Sequence, residues 1–228
     1  PHMKKNLVWD IPVRLFHWLL VLSLFGQWLT AEVLENSMHI HFYIGYFTLG
    51  LIIFRLLWGF FGTKYAKFSS FIAGPKAIIG YLQTLVSKQK AVTTGHNPLG
   101  GLLLPAVLIL VGLQAISGLF TSDDIVSAGP YFDTVSSTIQ KWMQWLHHNV
   151  FDVLIGLVVI HVLAITWYQW GLKHDLITPM LTGKKVIETS KGIAHSKLVR
   201  ALILAIVVGF FVYWLVEINP PPVEEYYY

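Results

Sequence analysis

His17, His41, His147 and His161 are the side chains of this sequence best placed to hold a metal centre. Neutral imidazole is a common ligand for iron, zinc and copper. The chain has no cysteine, which excludes disulfides, thiolate-bound zinc, iron–sulfur clusters and a covalently attached c-type haem. His147 and His161 are fourteen residues apart. On a helix that spacing is about 21 Å and brings both rings within about 40° of one face. The two levels are too far apart to share one ion, so each histidine needs a partner on another helix. Paired imidazoles at two levels of a helical bundle are the arrangement that binds two b-type haems.

The elements that must position these rings are long and apolar. Of the 228 residues, 55% are hydrophobic and only 12% are charged, and the mean hydropathy is +0.60. A soluble domain carries roughly twice that charged fraction. Five apolar stretches are long enough to span a bilayer, at about 13–30, 42–61, 99–120, 150–170 and 198–216. Lipid offers no hydrogen bonds to backbone groups, so the spans are expected to be helices. The runs are continuous rather than alternating, which argues against a β-barrel. Most of the nine tryptophans fall near span ends, as an interfacial belt would. Pro1 and His2, ahead of Met3, read as a tag remnant, and no cleavable signal peptide is expected.

Charge predicts the orientation. With the N-terminus inside, the inner segments hold fifteen positive and three negative charges. The outer segments and tail have a net charge of −7. This is a strong positive-inside pattern, with the N-terminus cytoplasmic and the C-terminus periplasmic. It places His17 and His161 at an inner level and His41 and His147 at an outer one. Residues 63–96 are expected to form a basic, partly amphipathic segment at the inner interface. Residues 121–145 are expected to form an acidic outer loop, with His147 just ahead of the fourth span.

A lone histidine near a span end is more often interfacial than a ligand, and that reading suits His39, His148, His174 and His195. It does not suit His161, which is flanked by apolar residues on both sides. Gly45 and Gly156 lie near the ligand positions, where a porphyrin crossing a helix needs small residues. Arg14 and Arg55 face the inner level as haem-propionate partners or as positive-inside anchors. His96 opens the third span as a helix cap or an inner-haem neighbour. Asp152 lies four residues after His148, so the two can pair on one face. They are candidate proton acceptors from a quinol, or Asp152 is a hydrogen-bonded structural group. Gln27, Gln114 and Ser117 read as polar contacts between helices.

Several stretches carry a family resemblance. They are Val8-Trp9-Asp10-Ile11-Pro12-Val13-Arg14-Leu15-Phe16-His17-Trp18, His41-Phe42-Tyr43-Ile44-Gly45-Tyr46, Phe54-Arg55-Leu56-Leu57-Trp58-Gly59-Phe60 and Gly95-His96-Asn97-Pro98-Leu99-Gly100-Gly101. Gln114 to Phe120, the His147–His161 pair and Met180 to Lys185 complete them. Over about residues 7–185 the chain resembles the bacterial cytochrome b561 family, in the branch related to hydrogenase b-type cytochrome subunits. The resemblance implies an all-α membrane protein of the bacterial inner membrane, with a four-helix haem-binding transmembrane bundle. It implies two haem b groups, the inner on His17 and His161 and the outer on His41 and His147. The chain departs from the family at His148, commonly glutamate, and at Asp152, often asparagine. Residues 186–228 add a linker, a fifth transmembrane helix and a tail.

Three functions follow from the resemblance. The first is electron transfer between the quinone pool, ubiquinone or menaquinone, and a periplasmic redox protein such as a c-type cytochrome. The acidic outer face would attract a basic partner. The second is superoxide oxidation coupled to quinone reduction, which the acidic loop disfavours. The third is a membrane anchor for a hydrogenase-like enzyme. A non-redox channel or transporter is disfavoured by the scarcity of polar residues in the spans. Membrane lipid is an expected partner and nucleic acid is not.

Overall fold

A computed structural model describes residues 3–87, 93–124 and 127–222. Lys88, Lys90, Glu224 and Glu225, counted in the charge balance, lie outside the described residues. Strand β1, Met3–Leu7, leads into helix α1, Ile11–Trp28, which continues as a wider turn to Val33. Helix α2 is Met38–Phe61, α3 is Pro75–Val86 and α4 is Pro98–Gly118. Helix α5, Ser137–Thr166, continues to Gly171. The short helix α6, Ile177–Thr182, precedes strand β2, Lys184–Glu188. Helix α7 is Leu198–Tyr213, extended to Ile218.

Five of these helices, α1, α2, α4, α5 and α7, are long and apolar enough to cross a membrane. The chain is a helical, multi-pass membrane protein. Local sequence sets the helix starts. Asp10 caps α1, its carboxylate accepting from the Val13 N–H at 2.7 Å, and Pro12 lies in the first turn. Asn97 caps α4 in the same way, accepting from the Gly100 N–H at 2.7 Å ahead of Pro98. The cap of the third span is therefore Asn97 and not His96.

One expectation about the loops needs correction. Helix α5 begins at Ser137, so the last third of the expected 121–145 loop is helical. The stretch from Ser137 to Asn149 holds no glycine or proline to stop a helix. From Ser137 to Gly171 the helix runs 35 residues, about 52 Å, well beyond a hydrocarbon core of about 30 Å. His147 consequently lies inside a helix, its direction fixed by a preceding three turns. The basic 63–96 segment contains α3, with Ile79, Leu82 and Val86 exposed and Tyr81 buried. Residues 88–92 of that segment lie outside the described residues.

The helical reading also missed a small sheet. β1 pairs antiparallel with β2, from Met3 opposite Glu188 to Leu7 opposite Lys184. The Gly183 carbonyl accepts from the N–H groups of Val8 and Trp9 at 2.8 and 3.1 Å. Gly183 has φ +81°, and a side chain there would meet the Trp9 carbonyl, so glycine is required. This clasp closes the His17–His161 end of the bundle over a core of Val8, Trp9, Val13, Trp58, Tyr65 and Ile187.

A second core sits at mid-bundle, where Phe16 and Leu20 of α1 meet Leu51 and Ile52 of α2, Leu108 and Val111 of α4, and Leu154 of α5. Leu154 lies midway between His147 and His161, so this layer separates the two histidine levels. Helix α7 docks on α2, with Val208 and Val212 against Gly50. Arg200 and Lys197 donate to the last carbonyls of α2, from Phe61 at 3.0 Å and Gly62 at 3.4 Å.

Candidate metal centres

The structure brings the four histidines together as two pairs. The His17 and His161 rings lie 6.5 Å apart between centroids, joining α1 to α5. The His41 and His147 rings lie 6.3 Å apart, joining α2 to α5. A metal-bound imidazole nitrogen sits about 2.0–2.1 Å from the ion, so two rings on opposite sides of one ion have centroids about 6 Å apart. Both pairs have that separation. No cluster of three or more metal-ligating side chains occurs among the described residues. Two axial donors at each level suit a metal whose other positions a macrocycle fills.

The outer pair is held by backbone carbonyls. Nδ1 of His41 lies 3.1 Å from the Gln27 carbonyl of α1. Nδ1 of His147 lies 2.9 Å from the Gln114 carbonyl of α4. A carbonyl only accepts, so Nδ1 bears the proton and donates. That leaves Nε2 with a free lone pair, the tautomer a metal needs. A hydroxyl reinforces each contact: Thr30 Oγ1 is 3.2 Å from His41 Nδ1, and Ser117 Oγ is 3.1 Å from His147 Nδ1.

These anchors were missed as ring supports, although a signal exists. Gln27 and Thr30 are three residues apart on one helix, and so are Gln114 and Ser117 on another. The same Gln-x-x-Ser/Thr spacing recurs opposite each outer histidine. Gly118 was missed as well. A Cβ there would lie 3.1 Å from the His147 ring, so the glycine lets that ring pack against α4.

The inner pair is held differently. Nδ1 of His17 is buried without a hydrogen-bond partner, and the ring meets Trp18 edge-on at 4.8 Å. His161 makes no hydrogen bond among the described residues and is half-buried. Arg14 donates from Nη1 to the Leu181 carbonyl at 2.6 Å. Arg55 is 1% exposed and donates from Nη2 to the Ala66 carbonyl at 3.1 Å.

The remaining candidates are scattered. Gly45 faces the Gln27 amide, which a Cβ would approach to 3.3 Å, so it serves the α1–α2 contact. Gly156 is exposed and faces open space. His148 and Asp152 are both exposed on α5, and no hydrogen bond or ion pair joins them among the described residues. The structure does not form the pair their spacing allowed. His148 instead lies 6.2 Å from the His147 ring.

The family model described as prokaryotic cytochrome b561 matches residues 8–183. No curated protein and no solved structure matches the chain. The match takes in all four paired histidines and both Gln-x-x-Ser/Thr anchors, and ends before α7.

Proposed function

We infer the function from the premise that the chain belongs to the prokaryotic cytochrome b561 family, and is therefore a transmembrane b-type cytochrome of electron transfer. Within that role we propose that the chain holds two haem b groups, the inner on His17 and His161 and the outer on His41 and His147. The observation behind this is the pairing itself. Two ring pairs at 6.5 and 6.3 Å lie at the two ends of the bundle, and in the outer pair the proton is fixed on Nδ1. When bound, the haem iron supplies one-electron redox chemistry.

The chain's own groups do the rest. The carbonyls of Gln27 and Gln114 orient the outer ligands and raise their basicity. The mid-bundle apolar layer keeps water from joining the two levels. Arg14 and Arg55 supply positive charge at the inner level for propionates. The N-terminus is proposed to be cytoplasmic, from the inner excess of lysine and arginine. The acidic outer segments favour a basic periplasmic redox protein such as a c-type cytochrome. His148 and Asp152, exposed beside the outer pair, are proposed to take protons from a quinol arriving through the bilayer. Residues 186–222, beyond the family match, are read as an added element that docks on α2.

The test is a reduced-minus-oxidised spectrum with haem quantitation on the purified protein. Two b-type haems per chain are expected, and one after His161→Ala. One haem or none in the unaltered protein would sink the proposal. Stopped-flow mixing with superoxide and with quinol analogues identifies the electron donor.

A further inference from the structure

Arg55 is the most deeply buried cation of the described residues, and no carboxylate touches it directly. Nη2 donates to the Ala66 carbonyl at 3.1 Å, and the guanidinium rests 5.3 Å from the Phe68 ring centroid. Nη1 is buried and has no partner. Asp10, buried at the same end, accepts from the Val13 N–H, Trp58 Nε1 and Thr63 Oγ1. No carboxylate lies within ion-pair distance of Arg55 among the described residues. Asp10 supplies counter-charge only at longer range, and a buried guanidinium N–H without an acceptor is costly, so Nη1 calls for a hydrogen-bonding partner.

A second buried nitrogen without a partner lies beside it. Nδ1 of His96 is shut off from solvent without a partner. Its ring is wedged between Trp9, at 4.6 Å, and Phe71, at 4.4 Å. Burial and the charge of Arg55 push the imidazole down to about 3. The ring is therefore neutral and offers one N–H.

The register along the helices says which anion can reach them. Arg55 follows His41 by fourteen residues on α2, as His161 follows His147 by fourteen on α5. Both helices run from the outer level to the inner one. Arg55 thus stands at the level of His161, about 21 Å from the outer pair and within about 40° of the face that carries His41. Arg14, at the same level, is partly engaged: its Nη1 donates to the Leu181 carbonyl, while its Nε is buried without a partner.

We infer that Arg55 and His96 form the anchoring site for a propionate carboxylate of the inner haem. The inference rests on the two-haem reading above. A guanidinium fork matches a carboxylate in two parallel hydrogen bonds, and the imidazole N–H adds a third donor.

The test compares haem b with its dimethyl ester, whose carboxylates are capped. Full-length protein is stripped, reloaded with either form, and the rate of haem transfer to an acceptor globin is followed. The inner haem is identified as the one absent from His161→Ala. In the unaltered protein the ester is expected to leave the inner site at least tenfold faster than the acid, with little change at the outer site. Arg55→Leu should release the acid form about as fast as the ester, and changing to the ester should then add almost nothing. His96→Phe should show a smaller effect of the same non-additive kind. A merely structural role would speed the loss of both forms equally, giving additive effects, and would overturn the inference. Equal rates for acid and ester in the unaltered protein would overturn it without any substitution, should Arg55→Leu fail to accumulate. A protein that takes up only one haem in either form would overturn the two-haem reading itself.

Discussion

The imidazole of His147 donates from Nδ1 to the carbonyl of Gln114 on the neighbouring helix, 2.9 Å away. The contact fixes which nitrogen faces His41 and at what angle. Partners behind a ligand commonly matter nearly as much as the ligand. The hydroxyls that share these contacts can be removed without disturbing the backbone. Ser117→Ala and Thr30→Ala should each weaken outer-haem retention by roughly 10–100-fold and leave the inner haem in place. Haem loss measured site by site checks this.

His147 and His148 are adjacent, and only His147 faces His41. His147→Ala should lower the content from two haems to one per chain. His148→Ala should leave both. Pyridine haemochrome quantitation distinguishes the two, and loss of a haem from His148→Ala alone would exchange their roles.

Gly118 gives the His147 ring its room. A Cβ would already stand 3.1 Å from that ring, and a branched side chain has nowhere to go. Gly118→Val should abolish the outer haem while helix content by circular dichroism stays unchanged. Gly156→Ala makes a useful contrast, since a Cβ there meets nothing within 4 Å of protein. Its effect on haem content reads whether a porphyrin edge passes that point.

Asp10 joins three elements. It caps α1 and accepts from Trp58 of α2 at 3.1 Å and from Thr63 beyond it at 2.5 Å. Asp10→Ala removes the cap, worth about 1 kcal/mol, and leaves a buried indole N–H unpaired at about 1–3 kcal/mol. A loss of about 2–4 kcal/mol is expected, read as a lower Tm in detergent.

Helix positions and ring pairing were legible in the sequence for one reason. Apolar length marks a span, and fixed helical periodicity converts the fourteen-residue spacing into two levels on one face. The supports were less legible. A backbone carbonyl has no residue identity, so the Gln27 and Gln114 contacts leave only the spacing to Thr30 and Ser117 as a trace. The β1–β2 clasp escaped because five-residue strands carry little periodicity and their pairing partner lies about 180 residues away. The His148–Asp152 pair failed for the opposite reason. Spacing of four permits contact on a helix surface, but exposed side chains gain little by making it. The start of α5 was misplaced because its outer turns are polar enough to resemble a loop.

The apolar layer from Phe16 to Leu154 has an electrical consequence. Polar groups let a medium screen a field, and the clustered side chains of this layer are apolar. In the proposed arrangement the two histidine levels are separated across part of the transmembrane voltage. Moving one elementary charge through the whole potential changes its energy by about 2.3 kcal/mol per 100 mV. With the N-terminus inside, as proposed, an electron exchanged between the two proposed haems is driven outward and resisted inward. On that reading the energised state of the membrane biases the direction of current through the bundle, with no moving part required.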